Sequence, residues 1–126
     1  MMKIVCLLIN LITQNLRIKL VLKKRSEGRK IFFTDGITFC YPLCGDDYVE
    51  VDLKSFDYPL SVSLVPWNFG EEVKGVTVSG LYYGLENHDL TAGSTFSFSN
   101  KPKDGADKIS VSIKSGMLLL VVTKNV

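Results

Sequence analysis

Apolar and polar residues alternate with a period of two over much of the chain, most clearly in residues 108–124. Ile109, Val111 and Ile113 interleave with Ser110, Ser112 and Lys114, which gives a strand one apolar and one wet face. Ser115-Gly116 then supplies a two-residue turn, and residues 117–122 return as a run apolar on both faces, as suits a strand covered from both sides. The pattern predicts a terminal β-hairpin against which the rest of the chain packs.

The same period recurs upstream. Leu16, Ile18, Leu20 and Leu22 alternate with Arg17, Lys19 and Lys23, an amphipathic strand with a basic outer face. Ser26-Glu27-Gly28 turns the chain into residues 29–34, and Asp35-Gly36 turns it again into residues 37–41. Both central positions of such a hairpin turn need positive φ, which Asp and Gly adopt at low cost, so residues 16–41 read as a three-stranded meander. In residues 47–53, Asp47, Val49, Val51 and Leu53 share one face and Tyr48, Glu50 and Asp52 the other. Leu60, Val62 and Leu64 line one face of the next strand, whose entrance tolerates Pro59. Residues 66–70 break the pattern, residues 73–83 resume it, residues 85–93 read as a polar connection containing His88, and residues 95–98 as a short strand.

Some eight strands with frequent turn signals, and no amphipathic helix after residue 15, predict an all-β fold. The expected architecture is an antiparallel β-sandwich, with a small OB-like β-barrel as the alternative. At 126 residues the chain reads as a single β domain over 1–126, made of an apolar N-terminal segment, 1–15, and antiparallel sheets over 16–126. The apolar run 3–12 is too short to span a bilayer as a helix. It lacks a small-x-small cleavage site and is followed by strongly basic sequence, which places the balance on an intracellular protein rather than a secreted one. A short helix and a first strand both fit that run.

Charge is uneven although the net is only +2. Residues 1–30 carry Lys3, Arg17, Lys19, Lys23, Lys24, Arg25, Arg29 and Lys30 against Glu27 alone, a net +7, and residues 31–126 carry a net −5. Such asymmetry suits an anion-binding end or a head-to-tail contact between copies. Cys40 and Cys44 are spaced C-x3-C with no second Cys/His pair, which is no common zinc pattern, and free thiols are the expectation. No glycine-rich phosphate loop occurs.

Candidate sites are weak in catalytic terms. Glu50 and Asp52 lie on one strand face about 6–7 Å apart by strand rise, a separation used by paired-carboxylate hydrolases, but a solvated face explains them equally. Asp46, Asp47, Glu50, Asp52 and Asp57 are split across two faces and do not converge on a calcium ion. His88 with Glu86 and Asp89 could join Cys40 or Cys44 in a protease-like set, yet no nucleophile elbow accompanies them. Aromatics in turns stand out more: Trp67 and Phe69 in one loop, then Tyr82 and Tyr83, offer rigid contact area for a binding tip.

The basic hairpin with Lys23, Lys24, Arg25, Arg29 and Lys30 lies next to Phe32, Phe33, Phe39 and Tyr41, the combination of cations and stacking rings that grips single-stranded nucleic acid. Residues 48–53 (Tyr-Val-Glu-Val-Asp-Leu) followed by Tyr58-Pro59 resemble a stretch of the single-stranded-DNA-binding protein of filamentous phages, which implies an OB-type fold over a small part of the chain. By elimination of catalytic constellations, the sequence predicts a non-enzymatic interaction or structural module that contacts a protein partner or its own copies. A small nucleic-acid-binding barrel is the alternative, and no cofactor, metal or transmembrane span is expected.

Overall fold

The structure, a computed structural model, describes residues 32–57, 59–66, 72–91 and 100–125. The apolar segment 1–15, the meander strand 16–22, the basic hairpin 23–30, the loop carrying Trp67 and Phe69, and the short strand expected at 95–98 lie outside those residues.

Eight strands are described: β1 (Phe33–Thr34), β2 (Thr38–Cys44), β3 (Asp47–Asp52), β4 (Leu60–Pro66), β5 (Val73–Ser79), β6 (Leu85–Leu90), β7 (Lys108–Ile113) and β8 (Met117–Lys124). They form two antiparallel sheets, ordered β1-β2-β8-β4 and β3-β7-β5-β6, so the fold is the sandwich and not the barrel. One 3-10 turn, Leu53–Ser55, follows β3, and Asp52 caps it by accepting from the Lys54 N–H at 2.9 Å.

The core lies between the sheets. Leu118, Leu120 and Val122 of β8 meet Leu43, Val62 and Leu64 on one side of it, and Val51, Val76, Val78, Ile109, Val111 and Ile113 close it from the other. Each of these side chains contributes roughly 1.5–3 kcal/mol on full burial. The opposite face of β8 is buried as well, at Leu119 and Val121, which explains why that strand carries no polar alternation.

Residues 108–124 do not form the hairpin that their local pattern suggests. β7 pairs with β3 and β5, whereas β8 pairs with β2 and β4 in the other sheet. The chain crosses between sheets through residues 114–116, and it crosses beside them through Gly45-Asp46, whose Gly45 N–H donates to the Gly116 carbonyl at 2.9 Å. β2-β3 and β7-β8 are thus one long antiparallel ribbon folded over at two glycines. Register slips by one residue there: Cys44 faces Met117 before the bend, and Asp47 faces Ile113 after it. Folding the ribbon sets Ile109, Val111 and Ile113 across the core from Leu118, Leu120 and Val122; a flat hairpin would have set them side by side.

The Asp35-Gly36 turn does close a hairpin. β1 pairs with β2, Thr34 opposite Phe39, and Asp35 Oδ1 accepts from the N–H groups of Ile37 at 2.9 Å and Thr38 at 2.7 Å. The expected polar connection 85–93 is instead the edge strand β6 over its first six residues. Its central residues are exposed, and the ladder with β5 is irregular, with Asn87 at φ 47 donating its N–H to Thr77 Oγ1 at 3.1 Å. An edge strand is held by backbone pairing on one side only, so it carries no apolar period to read.

Candidate functional site

The link between β5 and β6 carries the most exposed aromatic surface among the described residues. Leu81 is buried and bridges to Pro102, which anchors the start of the link. Tyr82 and Tyr83 then stand out in solvent, 58% and 62% exposed, with their ring centroids 4.9 Å apart and their planes at 82°. Edge-to-face packing of this kind satisfies the ring quadrupoles and leaves ring faces free to take another group. The Lys101 ammonium lies 5.2 Å from the Tyr82 centroid, within cation–π range.

Backbone pairing holds the link in place. The Tyr82 N–H donates to the Lys101 carbonyl at 2.8 Å, and the Lys103 N–H donates to the Gly80 carbonyl at 2.8 Å. Asn100, only 8% exposed, donates from Nδ2 to the Tyr83 carbonyl at 2.8 Å, and its Oδ1 accepts from the N–H groups of Tyr83 at 3.1 Å and Lys101 at 3.0 Å. Its own carbonyl accepts from the Val62 N–H of β4 at 2.9 Å. One residue therefore ties the edge of one sheet to the tip of the other. Beside it opens a solvent-facing cleft of about 540 Å³, lined by Tyr82, Tyr83, Asn100, Lys101, Leu60 and Ser61 among others.

The remaining sequence candidates do not assemble. Glu50 and Asp52 point to solvent from β3, where Glu50 accepts from Lys108 Nζ at 3.0 Å and from the Tyr48 hydroxyl, and Asp52 caps the 3-10 turn. The hydrogen bond to Glu50 pushes the Tyr48 hydroxyl up from its usual range and raises Lys108 in the same way. Asp47 is spent on the N–H groups of Cys44 and Tyr48, and among the described residues no three His, Cys, Asp or Glu side chains gather in a metal site. His88 lies on β6, in the other sheet from Cys40 and Cys44 on β2, which separates the protease-like set. Cys40 and Cys44 are not joined to each other: four residues apart on one strand, their Cα atoms are about 13 Å apart, beyond the reach of a disulfide. Burial pushes the Cys40 thiol up to about 12, which makes it inert rather than nucleophilic.

Of the four aromatics expected at a binding tip, Tyr82 and Tyr83 are brought together, while Trp67 and Phe69 lie outside the described residues, as does the whole basic hairpin. Asn100 and Lys101 escaped the sequence reading. Neither carries a local signal, because an asparagine ahead of a Lys-Pro turn reads as loop until its distant partner is known.

Residues 49–118, more than half of the chain and including this whole arrangement, match the family model of the thiamin pyrophosphokinase, vitamin B1 binding domain. The chain belongs to that family. The fold agrees with solved structures of thiamin pyrophosphokinases: that from Bacillus subtilis (TM-score 0.71, 21% identity, 87% of this chain and 49% of that one) and that from Geobacillus thermodenitrificans (TM-score 0.66, 24% identity, 86% and 46%). The enzyme from Candida albicans is similar too, with a TM-score of 0.68 at 14% identity over 92% of this chain and 40% of that one. The chain spans about half the length of these enzymes or less. No curated protein matches it.

Membership of the thiamin pyrophosphokinase domain family overturns the expectation of a non-enzymatic interaction or structural module, and with it the description as a protein-binding or structural protein. The nucleic-acid alternative falls as well. Of the stretch that resembles the phage DNA-binding protein, residues 48–52 lie on β3 of a sandwich, and all but Tyr48 fall within the matched residues. Elimination failed here because the residue types that shape a small-molecule surface leave no catalytic motif to find, so the absence of a motif does not separate a structural module from a domain of an enzyme family. Among the described residues no helix is long and apolar enough to cross a membrane.

Proposed function

We propose that this chain is the thiamin-binding domain of a thiamin pyrophosphokinase, and that it holds thiamin at the Tyr82–Tyr83 corner as the acceptor in pyrophosphoryl transfer. The observation that carries this reading is the exposed, backbone-clamped tyrosine pair inside the matched residues. Thiamin joins a flat aminopyrimidine to a cationic thiazolium, so it asks for ring faces that stack and attract positive charge. An ammonium already over Tyr82 disfavours a second cation there, which directs the thiazolium to Tyr83. A tip held in advance by hydrogen bonds loses little freedom when the ligand arrives.

We assign the residues of this chain to the thiamin side of the transfer on the strength of the match to the vitamin B1 binding domain. Fixing the thiamin hydroxyl for in-line attack is then the contribution of this domain to the rate. We take residues 1–126 as one β unit in that role. A second copy of the chain is the macromolecular partner we favour, on the strength of the opposite charge of its two parts.

Isothermal titration of thiamin into the full chain tests the reading. Binding by the wild type and a loss of about tenfold or more in Tyr83→Ala are expected. No heat of binding at millimolar thiamin overturns it. Light scattering gives the oligomeric state, and a molar mass of 14.0 kDa removes the second copy.

A further inference from the structure

Asn100 engages both ends of its carboxamide with its neighbours. Oδ1 takes two N–H groups, Nδ2 gives one hydrogen bond, and the backbone carbonyl takes a third N–H from β4, all at a position 8% exposed. The bonds to Tyr83 are reciprocal: the side chain accepts from the Tyr83 N–H and donates to the Tyr83 carbonyl, as a paired strand residue would. Among side chains in their neutral-pH state, a carboxamide offers an acceptor and a donor side by side in this way, whereas an ionised carboxylate only accepts. The tyrosine rings themselves stand in solvent, so their direction is set through the backbone that carries them.

We infer that Asn100 is a positioning residue of the thiamin site: by gripping both peptide groups of Tyr83 it orients the Tyr82–Tyr83 corner, and so controls affinity without contributing the stacking surface. This rests on the thiamin reading above and adds to it a residue with no direct part in stacking. Aspartate in its place keeps the acceptor but sets a carboxylate oxygen against the Tyr83 carbonyl. Protonation of that carboxyl puts a donor back where Nδ2 had been.

The test is calorimetric titration of thiamin into the full chain as wild type, Asn100→Ala, Asn100→Asp and Tyr83→Ala, with near-ultraviolet circular dichroism to follow the coupled tyrosines. Asn100→Ala is expected to weaken thiamin about tenfold and to diminish the tyrosine signal while the far-ultraviolet β spectrum persists. Asn100→Asp carries the sharper readout. The ratio of its Kd to that of the wild type should be large at neutral pH and fall toward unity as the new carboxyl takes its proton, with the far-ultraviolet spectrum unchanged across the range, which separates orientation of the corner from loss of the fold. Normalising to the wild type at each pH removes the titration of thiamin itself.

Wild-type affinity in Asn100→Ala beside a loss in Tyr83→Ala overturns the role of Asn100 and leaves the thiamin site standing. No binding by the wild type, or no effect of Tyr83→Ala, overturns both. Should Asn100→Ala fail to fold, the Asn100→Asp titration decides alone, and a ratio that stays flat with pH counts against the proposal.

Discussion

Val73 lies so close to Gly116 that a Cβ on the glycine would come within 2.9 Å of the Val73 Cα and 2.9 Å of the Glu72 carbonyl oxygen. Both obstacles are backbone, and Gly116 has φ 98, so strain and clash act together. Its hydrogen-bonded partner Gly45 also has positive φ, at 72, but a Cβ there meets nothing within 4 Å. Gly116→Ala should therefore cost about 3 kcal/mol or more and Gly45→Ala about 1 kcal/mol in urea denaturation. Equal losses would mean that the folded ribbon does not close against β5.

Leu120 is fully buried on β8, opposite Tyr41 on one side and Leu64 on the other. Truncation to alanine leaves a cavity between three strands, and about 2–5 kcal/mol of stability should go with it. Glu86→Ala on the exposed edge strand should stay within about 0.5 kcal/mol. The two unfolding midpoints, measured side by side, check whether the core lies where the register puts it.

Cys40 is held neutral by burial, its pKa raised from 9.0 to about 12. An unfolded thiol loses its proton near its ordinary value while the folded one keeps it, so this group favours the fold fully below about pH 9. That contribution is lost as pH rises from there toward 12, by up to about 4 kcal/mol. Cys40→Ala should show a shallower loss of stability over the same window. In the native protein Cys44, half-buried, should react with iodoacetamide well before Cys40 does.

Glu50→Gln should leave thiamin affinity unchanged, since Glu50 lies outside the residues lining the cleft beside Asn100. Its ion pair with Lys108 is exposed, so the stability change should stay within about 1 kcal/mol. A marked fall in thiamin binding would move the candidate site to the outer face of β3.

Strand positions and faces were legible because a two-residue period repeats wherever one side of a sheet is wet. Val49 and Val51 face inward while Glu50 and Asp52 face out, as alternation requires. The doubly apolar run in β8 announced burial on both faces, and Asp35-Gly36 announced its turn, which forms with positive φ at Gly36 only and with the Asp35 carboxylate accepting from the Ile37 and Thr38 N–H groups. Tyr82 and Tyr83 could be picked out as exposed aromatics in a glycine-flanked link. These are local properties, set by side-chain direction and by φ.

Sheet membership was decided only in three dimensions. Nothing within residues 108–124 distinguishes a flat hairpin from a ribbon bent between two sheets; the choice falls to Gly45, Glu72 and Val73, far away in the chain, which receive Gly116 at the corner. The grip of Asn100 on Tyr83 is of the same kind, formed across seventeen residues by a side chain whose neighbours in sequence read only as loop. Local pattern determines which way a residue faces, because that depends on the adjoining peptide units. Which strand lies beside it, and which tip it holds, depends on contacts that exist only once the sheets have closed over a common core.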